Sequence, residues 1–349
     1  MIRIAINGYG RIGRVAHRVI LERFSDQVKI MGINGGSSTD ITGWAYLLKY
    51  DTAYGILKNH NIRGLDGEKK YLIVDEQQIP FFQEKDPAKL PWKDLEVDVV
   101  LECTGEFTTS EKVQPHLTAG AKKVVLSAPA KDSTIRTFVL DVNLNPGEAT
   151  FSGQSTVPSD QIISNASCTT NCIAPVAKII TEKFGVYKAM MTTIHAYTSD
   201  QRLQDGGNKD YRRARVAGAN IVPTTTGAAI AAAETVPELK GLFSGVAIRV
   251  PVVVGSLSDF TFHLKKETTV EEVNKVLEEA ASSPQYRNVL EVSREPLVSS
   301  DIVGNSHSAI VDLPLTQMVG GDMIKIFAWY DNEWGYANRL VEEAILVGQ

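Results

Sequence analysis

The feature that most constrains this chain is its opening. An apolar run, Ile2–Asn7, leads directly into Gly8-Tyr9-Gly10-Arg11-Ile12-Gly13, and a helical pattern begins at Arg11. Glycine at the three places has separate uses. One permits the tight turn, one lets the backbone approach a pyrophosphate, and one lets the helix pack closely on the strand. The helix N-terminus then offers unpaired N–H groups to an anion. Strand, glycine turn and helix in this order point to the first unit of a dinucleotide-binding sheet. A glycine turn with no ligand is the competing reading.

The pattern after it supports the sheet. Val28–Ile33 reads as a strand, Ile41–Leu48 as a helix, Val99–Glu102 as a strand, Glu111–Thr118 as a helix and Lys123–Leu126 as a strand. Alternating strands and helices predict parallel strands joined by right-handed crossovers, a doubly wound sheet. Continuous apolar strands such as Val99–Leu101 fit burial on both faces. Between 144 and 159 the composition turns to Asn, Pro, Gly, Ser and Thr, which predicts a surface loop near a domain junction.

Beyond the loop, a helix is expected from Thr169 to Phe184 and a strand over Ala189–His195. The stretch 197–223 shows no period. A segment of that length without regular structure inside a compact domain is usually functional. Strands near Ala247–Val254, Asp259–Leu264 and Met323–Tyr330, a helix over Val270–Ala281 and a last helix over Glu333–Val347 complete the pattern. With 349 residues, two domains are the natural expectation.

A formal charge of -5 argues against a general nucleic-acid binder and leaves anion recognition to local basic clusters. No apolar run is long enough to span a bilayer. The opening residues lack a signal-peptide layout, and three cysteines, Cys103, Cys168 and Cys172, suit thiol chemistry better than a disulfide framework. A cytoplasmic location is the expectation.

A site that prefers NAD usually places Asp or Glu after the second strand, to hold the ribose 2′-hydroxyl. Here that strand runs into Asn34-Gly35-Gly36-Ser37-Ser38-Thr39, and the first acid, Asp40, stands several residues on. No carboxylate at the tip opposes a 2′-phosphate, and three hydroxyls stand ready as donors. This points to NADP use, alone or beside NAD. A neutral loop that still takes NAD is the alternative.

Two residues suggest covalent chemistry. Cys168 follows a short apolar strand and begins a helix, where the macrodipole and free N–H groups are expected to lower its thiol pKa. His195 ends a strand at the entry to the irregular segment, where catalytic groups tend to be carried. A cysteine and a histidine together fit nucleophilic attack on a carbonyl. Cys168 and Cys172, one helical turn apart, also suit a metal, but Cys103 and six scattered histidines supply no ligand spacing, so no metal is expected.

At Ser164-Asn165-Ala166-Ser167-Cys168-Thr169-Thr170-Asn171-Cys172 the chain resembles the active-site signature of phosphorylating glyceraldehyde-3-phosphate dehydrogenases. The resemblance extends through INGYGRIGR (6–14), LLKYDTAYG (47–55), ECTGEF (102–107), HAYTSDQR (195–202), RRARVAGANIVPTTTGAA (212–229) and WYDNEWGYANR (329–339). It implies a Rossmann domain over 1–167 and an α+β catalytic domain with a mixed sheet over 168–332. A terminal helix, 333–349, would pack back on the first domain. It implies Cys168 as nucleophile and His195 as base, with glyceraldehyde 3-phosphate and inorganic phosphate as substrates. It also implies a homotetramer.

By the same resemblance, Thr198 and Arg249 would belong to one phosphate site. Ser167, Thr169, Arg213, Thr226 and Gly227 would serve the other or position the substrate. Hydroxyls and guanidinium groups are the donors that phosphate oxygens require. Without the resemblance, Arg212, Arg213 and Arg215 read equally as a solvated basic face. Arg11, Ile12, Ser127 and Asn332 would contact the dinucleotide, with Asn332 on the nicotinamide carboxamide and Tyr336 packed nearby. Asn332 also suits the cap of the last helix.

The chain departs from the family pattern at Gly35, where Asp is usual, and at Lys85, where Arg is frequent. Without the acid, Lys85 is free to meet a 2′-phosphate. Gly206-Gly207 replaces a bulkier Leu-Pro that, in similar enzymes, approaches the adenosine ribose of a neighbouring subunit, which points the same way. Ile230 and Val252-Val253 also depart from it. An erythrose-4-phosphate dehydrogenase is the nearest rival; Thr198 and the Thr226-Gly227 pair favour the glyceraldehyde-3-phosphate enzyme. A non-catalytic interaction protein on this scaffold is the rival of another class.

Overall fold

The computed structural model describes residues 1–144 and 161–349. The loop expected over 144–159 lies, beyond its first residue, outside them. The described residues form two compact units: 1–138, 161–166 and 337–349 in one, 139–144 and 167–336 in the other.

The first unit opens as the motif requires. Strand β1 (Ile2–Asn7) passes through the glycine turn into helix α1 (Arg11–Arg23). Strand β2 (Val28–Asn34) and helix α2 (Ile41–Lys49) follow. The α1 residues Val15, Ala16, Val19 and Ile20 are buried, one stripe at helical spacing. Asp40 caps α2, its Oδ1 accepting from Gly43 N at 2.7 Å. The nearest acid after β2 is thereby committed to a helix end.

After a two-residue pair, β3 (Tyr50–Asp51) with β4 (Gly55–Ile56), come β5 (Ile62–Leu65), β6 (Lys70–Val74) and β7 (Gln77–Phe82). Then follow β8 (Val99–Glu102), α3 (Ser110–Thr118), β9 (Lys123–Leu126), β10 (Arg136–Thr137) and β11 (Ile162–Ser164). The sheet order is β10-β11-β9-β8-β1-β2-β7-β6-β5. From β10 to β7 every pairing is parallel, as a doubly wound sheet demands. The edge adds strands that depart from this parallel order. β6 runs antiparallel to both neighbours, because the short turns 66–69 and 75–76 leave no chain for a crossover. Strand order reverses at β1, which has β2 on one side and β8 on the other. The crevice at the carboxyl ends of such strands is where open α/β sheets bind ligands.

The second unit begins with α4 (Cys168–Phe184) and continues with β12 (Val186–Ala196), β13 (Val222–Thr225), α5 (Ala228–Thr235), β14 (Phe243–Val250) and β15 (Ser256–Leu264). It then adds α6 (Val270–Ala281), β16 (Leu290–Ser293), β17 (Ala309–Asp312), β18 (Gln317–Val319) and β19 (Met323–Tyr330). Its sheet has the order β13-β14-β12-β15-β19-β17-β16, with β18 on β19, and mixes parallel and antiparallel pairs. Alternate residues of β15 and β19, including Phe260, Phe262, Ile324 and Ile326, are buried on the face that carries the helices. On the opposite face Met190, Val246 and Met323 are exposed.

The segment 197–223 is less irregular than expected, since Ala217–Ala219 forms a 3-10 turn and β13 starts at Val222. Ion pairs hold much of the rest, among them Arg215 Nε to Asp205 Oδ2 at 2.8 Å. Helix α7 (Trp334–Gly348) ends the chain, and Ala337, Leu340, Val341 and Ala344 on it are fully buried. No helix among the described residues is long and apolar enough to cross a membrane.

Candidate active site

In the first unit a cleft of about 450 Å³ opens beside the glycine turn. Gly8, Gly10, Asn34, Gly35 and Lys85 line it, as do Ser37, Gln83, Glu84, Thr104 and Glu106. The three glycines divide their uses as the motif predicts. Gly8 has φ +92°, and a Cβ there would lie 2.6 Å from Thr104 N. At Gly13 a Cβ would lie 2.1 Å from Gly8 O, so this residue is glycine because the helix packs onto the turn. Gly10 has nothing within 4 Å of its Cβ position. Its bareness serves no contact within the chain, and the open space fits the close approach of a pyrophosphate.

Asn34 ties the far wall of the cleft. Its Nδ2 donates to Asn7 Oδ1 at 2.7 Å and to Glu84 O at 2.8 Å, and its Oδ1 accepts from Glu84 N at 2.9 Å. Residues 83–87, beyond β7, were not read as part of the site apart from Lys85. No local motif marks them, because only the sheet order brings β7 beside β2.

Arg11, Ile12 and Ser127 are not among the cleft-lining residues. Arg11 forms an ion pair with the nearly buried Asp51. Ser127 N donates to Glu102 O at 2.9 Å.

In the second unit Cys168 is the first residue of α4 and half-buried. Ser167 caps the helix, its Oγ accepting from Thr170 N at 3.1 Å. His195 stands near the end of β12. Its Nε2 lies 3.4 Å from Cys168 Sγ. Its Nδ1 lies 2.7 Å from Ala196 O, and its Nε2 is the ring nitrogen that faces the sulfur. Arg249 Nη1 donates to the same carbonyl at 3.0 Å and sits 2.8 Å from Nδ1. The carbonyl accepts and the guanidinium donates, so these two neighbours of Nδ1 favour opposite tautomers.

The electrostatics correct one expectation. The helix start was expected to lower the Cys168 pKa, but burial pushes the thiol above its ordinary value. Arg249 and hydrogen bonds from Thr169 pull the other way without overcoming burial. Burial, reinforced by Arg249, also pushes His195 down to about 3. Both shifts run toward the uncharged forms, the thiol of Cys168 and the imidazole of His195. Cys172 is fully buried, within 3.9 Å of Ser258 Oγ and Ala328 O, and burial pushes its thiol up.

The expected phosphate-binding residues do not divide as the resemblance implied. Thr198 and Arg213 meet at Asp200, which accepts from Thr198 Oγ1 and pairs with Arg213 Nη1 at 2.5 Å. Burial favours the neutral form of Asp200, but Thr198, Arg249 and Arg213 outweigh it and hold the carboxyl below its usual range. Arg213 Nε also donates to Thr224 Oγ1 at 2.9 Å. The basic run thus divides, with Arg213 half-buried in this network and Arg212 and Arg215 exposed. Thr226 Oγ1 accepts from Ala228 N at 3.2 Å and Gly227 caps α5. Thr169 is buried, its Oγ1 2.9 Å from Tyr330 OH and 3.9 Å from Cys168 Sγ. Tyr330, which lies within the 329–339 motif, also reaches Thr193 Oγ1 at 2.8 Å.

Asn332 does not cap the last helix. Asp331 does so, accepting from Glu333 N at 2.9 Å and Trp334 N at 2.8 Å. Asn332 Oδ1 accepts from Gly255 N at 3.2 Å and Ser256 Oγ at 2.8 Å, leaving its amide group as a donor. Tyr336 is buried in the same unit.

A dinucleotide-type cleft in one unit and a cysteine facing an imidazole in the other point to a class, an α/β oxidoreductase. Family models described as "Glyceraldehyde 3-phosphate dehydrogenase, NAD binding domain" and "Glyceraldehyde 3-phosphate dehydrogenase, C-terminal domain" match residues 2–110 and 167–332. The chain is 46% identical over 347 residues to glyceraldehyde-3-phosphate dehydrogenase 2 of Streptomyces avermitilis, covering 99% of this chain and 98% of that protein. It is also 46% identical over 343 residues to the glyceraldehyde-3-phosphate dehydrogenase of Zymomonas mobilis, covering 98% and 97%. The chain belongs to the glyceraldehyde-3-phosphate dehydrogenase family.

Proposed function

We propose that this chain is a phosphorylating glyceraldehyde-3-phosphate dehydrogenase that uses NADP, alone or beside NAD. The observation that carries the chemistry is the 3.4 Å approach of His195 Nε2 to Cys168 Sγ, with the imidazole held neutral. As sulfur attacks the aldehyde carbon, Nε2 takes the thiol proton and passes it to the carbonyl oxygen, so that a thiohemiacetal forms on Cys168. Proton transfer during attack suits a pair in which the resting proton stays on sulfur. The nicotinamide, when bound, supplies the hydride acceptor. Cys168 then carries the acyl group as a thioester, which inorganic phosphate cleaves to 1,3-bisphosphoglycerate.

Two anions need two sets of donors. Thr198 and Arg249 suit one; Ser167, Thr169, Arg213, Thr226 and Gly227 suit the other or orient the substrate. The open space at Gly10 and the donor amide of Asn332 fit the dinucleotide. NADP use is supported by Gly35, by the capping role of Asp40, and by Lys85 and Ser37 in the same cleft. The bare pair Gly206-Gly207 agrees with it. A cytoplasmic location suits a catalytic free thiol, and the exposed face of the second sheet supports assembly into a homotetramer.

The test is a rate comparison. Parent protein should reduce NADP at least as efficiently as NAD with glyceraldehyde 3-phosphate, only when phosphate is present, and faster than with erythrose 4-phosphate. Cys168→Ser should lose roughly 10³-fold or more in kcat. Full turnover by that variant would refute the mechanism, and a strong preference for NAD would refute the cofactor reading.

A further inference from the structure

Gly35 is glycine for lack of space, not for conformation. It is absent from the glycines with left-handed φ, yet a Cβ built on it would lie 2.1 Å from Phe81 Cζ and 2.8 Å from Cε1. Its neighbour shows the opposite case. Gly36 has φ +69° and open space around its Cβ position.

Nor can the Phe81 ring simply retreat. It is 4% exposed, and it meets Tyr9 edge-on with centroids 6.0 Å apart at 80°. Tyr9 belongs to the glycine turn itself and is anchored by its hydroxyl, 2.6 Å from His17 Nδ1. The backbones are fixed as well. Ile33 and Asn34 pair with Phe81 and Phe82, and Gly35 N donates to Phe82 O at 2.9 Å. Movement of the ring therefore disturbs the turn, and movement of residue 35 breaks the β2–β7 ladder.

We infer that Phe81 is a specificity-determining residue for the dinucleotide, because its ring fills the volume from which an acidic side chain at 35 would have to grow. Residues 35 and 81 form one unit, large on one strand and absent on the other. The carboxylate that would hold a ribose 2′-hydroxyl is excluded by packing beneath the cleft, and an exchange at 35 alone cannot restore it. The inference rests on the reading above that residue 35 faces the adenosine ribose.

The experiment is a double-mutant cycle on the full chain: parent, Gly35→Asp, Phe81→Val and the pair together. Each protein is assayed for thermal midpoint without dinucleotide and for kcat/KM with NAD and with NADP. Gly35→Asp alone should lower the midpoint, and Phe81→Val should recover part of that loss when added to it. In the pair the ratio of kcat/KM for NAD over NADP should rise roughly 10-fold or more, the scale of a restored charged hydrogen bond. The single Gly35→Asp exchange should shift it less. If Gly35→Asp does not fold, Gly35→Ala takes its place in the midpoint cycle, since the clash begins at Cβ. Additive midpoints, or a Gly35→Asp protein that gains as much NAD preference as the pair, would overturn the inference. A parent that strongly prefers NAD defeats the cofactor reading instead, while the midpoints still report on the packing unit.

Discussion

Replacing Gly10 and Gly13 by alanine, one at a time, separates binding from folding within a single motif. At Gly13 the added methyl would sit 2.1 Å from a backbone oxygen, against the 3.0 Å that real Cβ atoms respect, so helix and turn must part by about 1 Å. Forced shifts of this kind cost typically about 1–3 kcal/mol, a fall of a few degrees in thermal midpoint for a chain of this size. At Gly10 the methyl meets nothing in the chain, and its φ of -71° is ordinary for alanine. The weaker helix cap costs roughly 0.5–1 kcal/mol, offset by a similar gain from the reduced freedom of the unfolded chain. Gly10→Ala should therefore melt near the parent. Its methyl does stand where the pyrophosphate would approach, and displacing one charged hydrogen bond weakens binding by about 1.5–3 kcal/mol, or roughly 10- to 100-fold in Kd. Calorimetry with the preferred dinucleotide and thermal melts of both variants supply the data. If Gly10→Ala bound the dinucleotide like the parent, or Gly13→Ala melted like the parent, the division of labour argued for the turn would be wrong.

Arg249→Ala should raise the Cys168 pKa further, because burial would then act with less positive charge to oppose it; iodoacetamide alkylation of Cys168 at pH 8 should slow, and an unchanged rate would refute the coupling. Burial holds His17 at about 3 in the folded chain, against 6.5 when exposed. The unfolded chain thus binds a proton first as pH falls, so stability is full above 6.5 and declines toward 3. At pH 5 the loss is about 2 kcal/mol from this residue, and a His17→Gln variant should show a correspondingly shallower fall in midpoint between pH 8 and pH 5; parallel curves would count against it. Met190→Glu puts charge on the exposed sheet face and should convert an oligomer to smaller species by light scattering, with the fold retained by circular dichroism; an unchanged mass would exclude that face from the interface.

How legible the site was depended on how local each signal is. The glycine turn, the cysteine at the start of α4 and the histidine of β12 are marked by neighbours within a few residues, so backbone periodicity and turn chemistry reveal them. The edge strands β5, β6 and β7 were not legible, because short runs with weak alternation carry little pattern. Their place beside β2 is a long-range pairing. Asn332 illustrates the same limit, since its sequence context suits a cap equally well. Only the positions of Asp331, Gly255 and Ser256 assign the cap to one residue and the donor amide to the other.

By itself the amino-acid order determined the class of each half, a dinucleotide-binding sheet followed by a thiol site, because periodicity and glycine placement act through the backbone of adjacent residues. Tertiary structure alone decided which way burial moves the Cys168 thiol and the reason for Gly35. Burial reversed the helix-based expectation for Cys168, since desolvation depends on what packs around a group and not on its neighbours in the chain. The space at 35 is taken by an aromatic ring 46 residues away, a contact that exists only once β2 and β7 lie side by side.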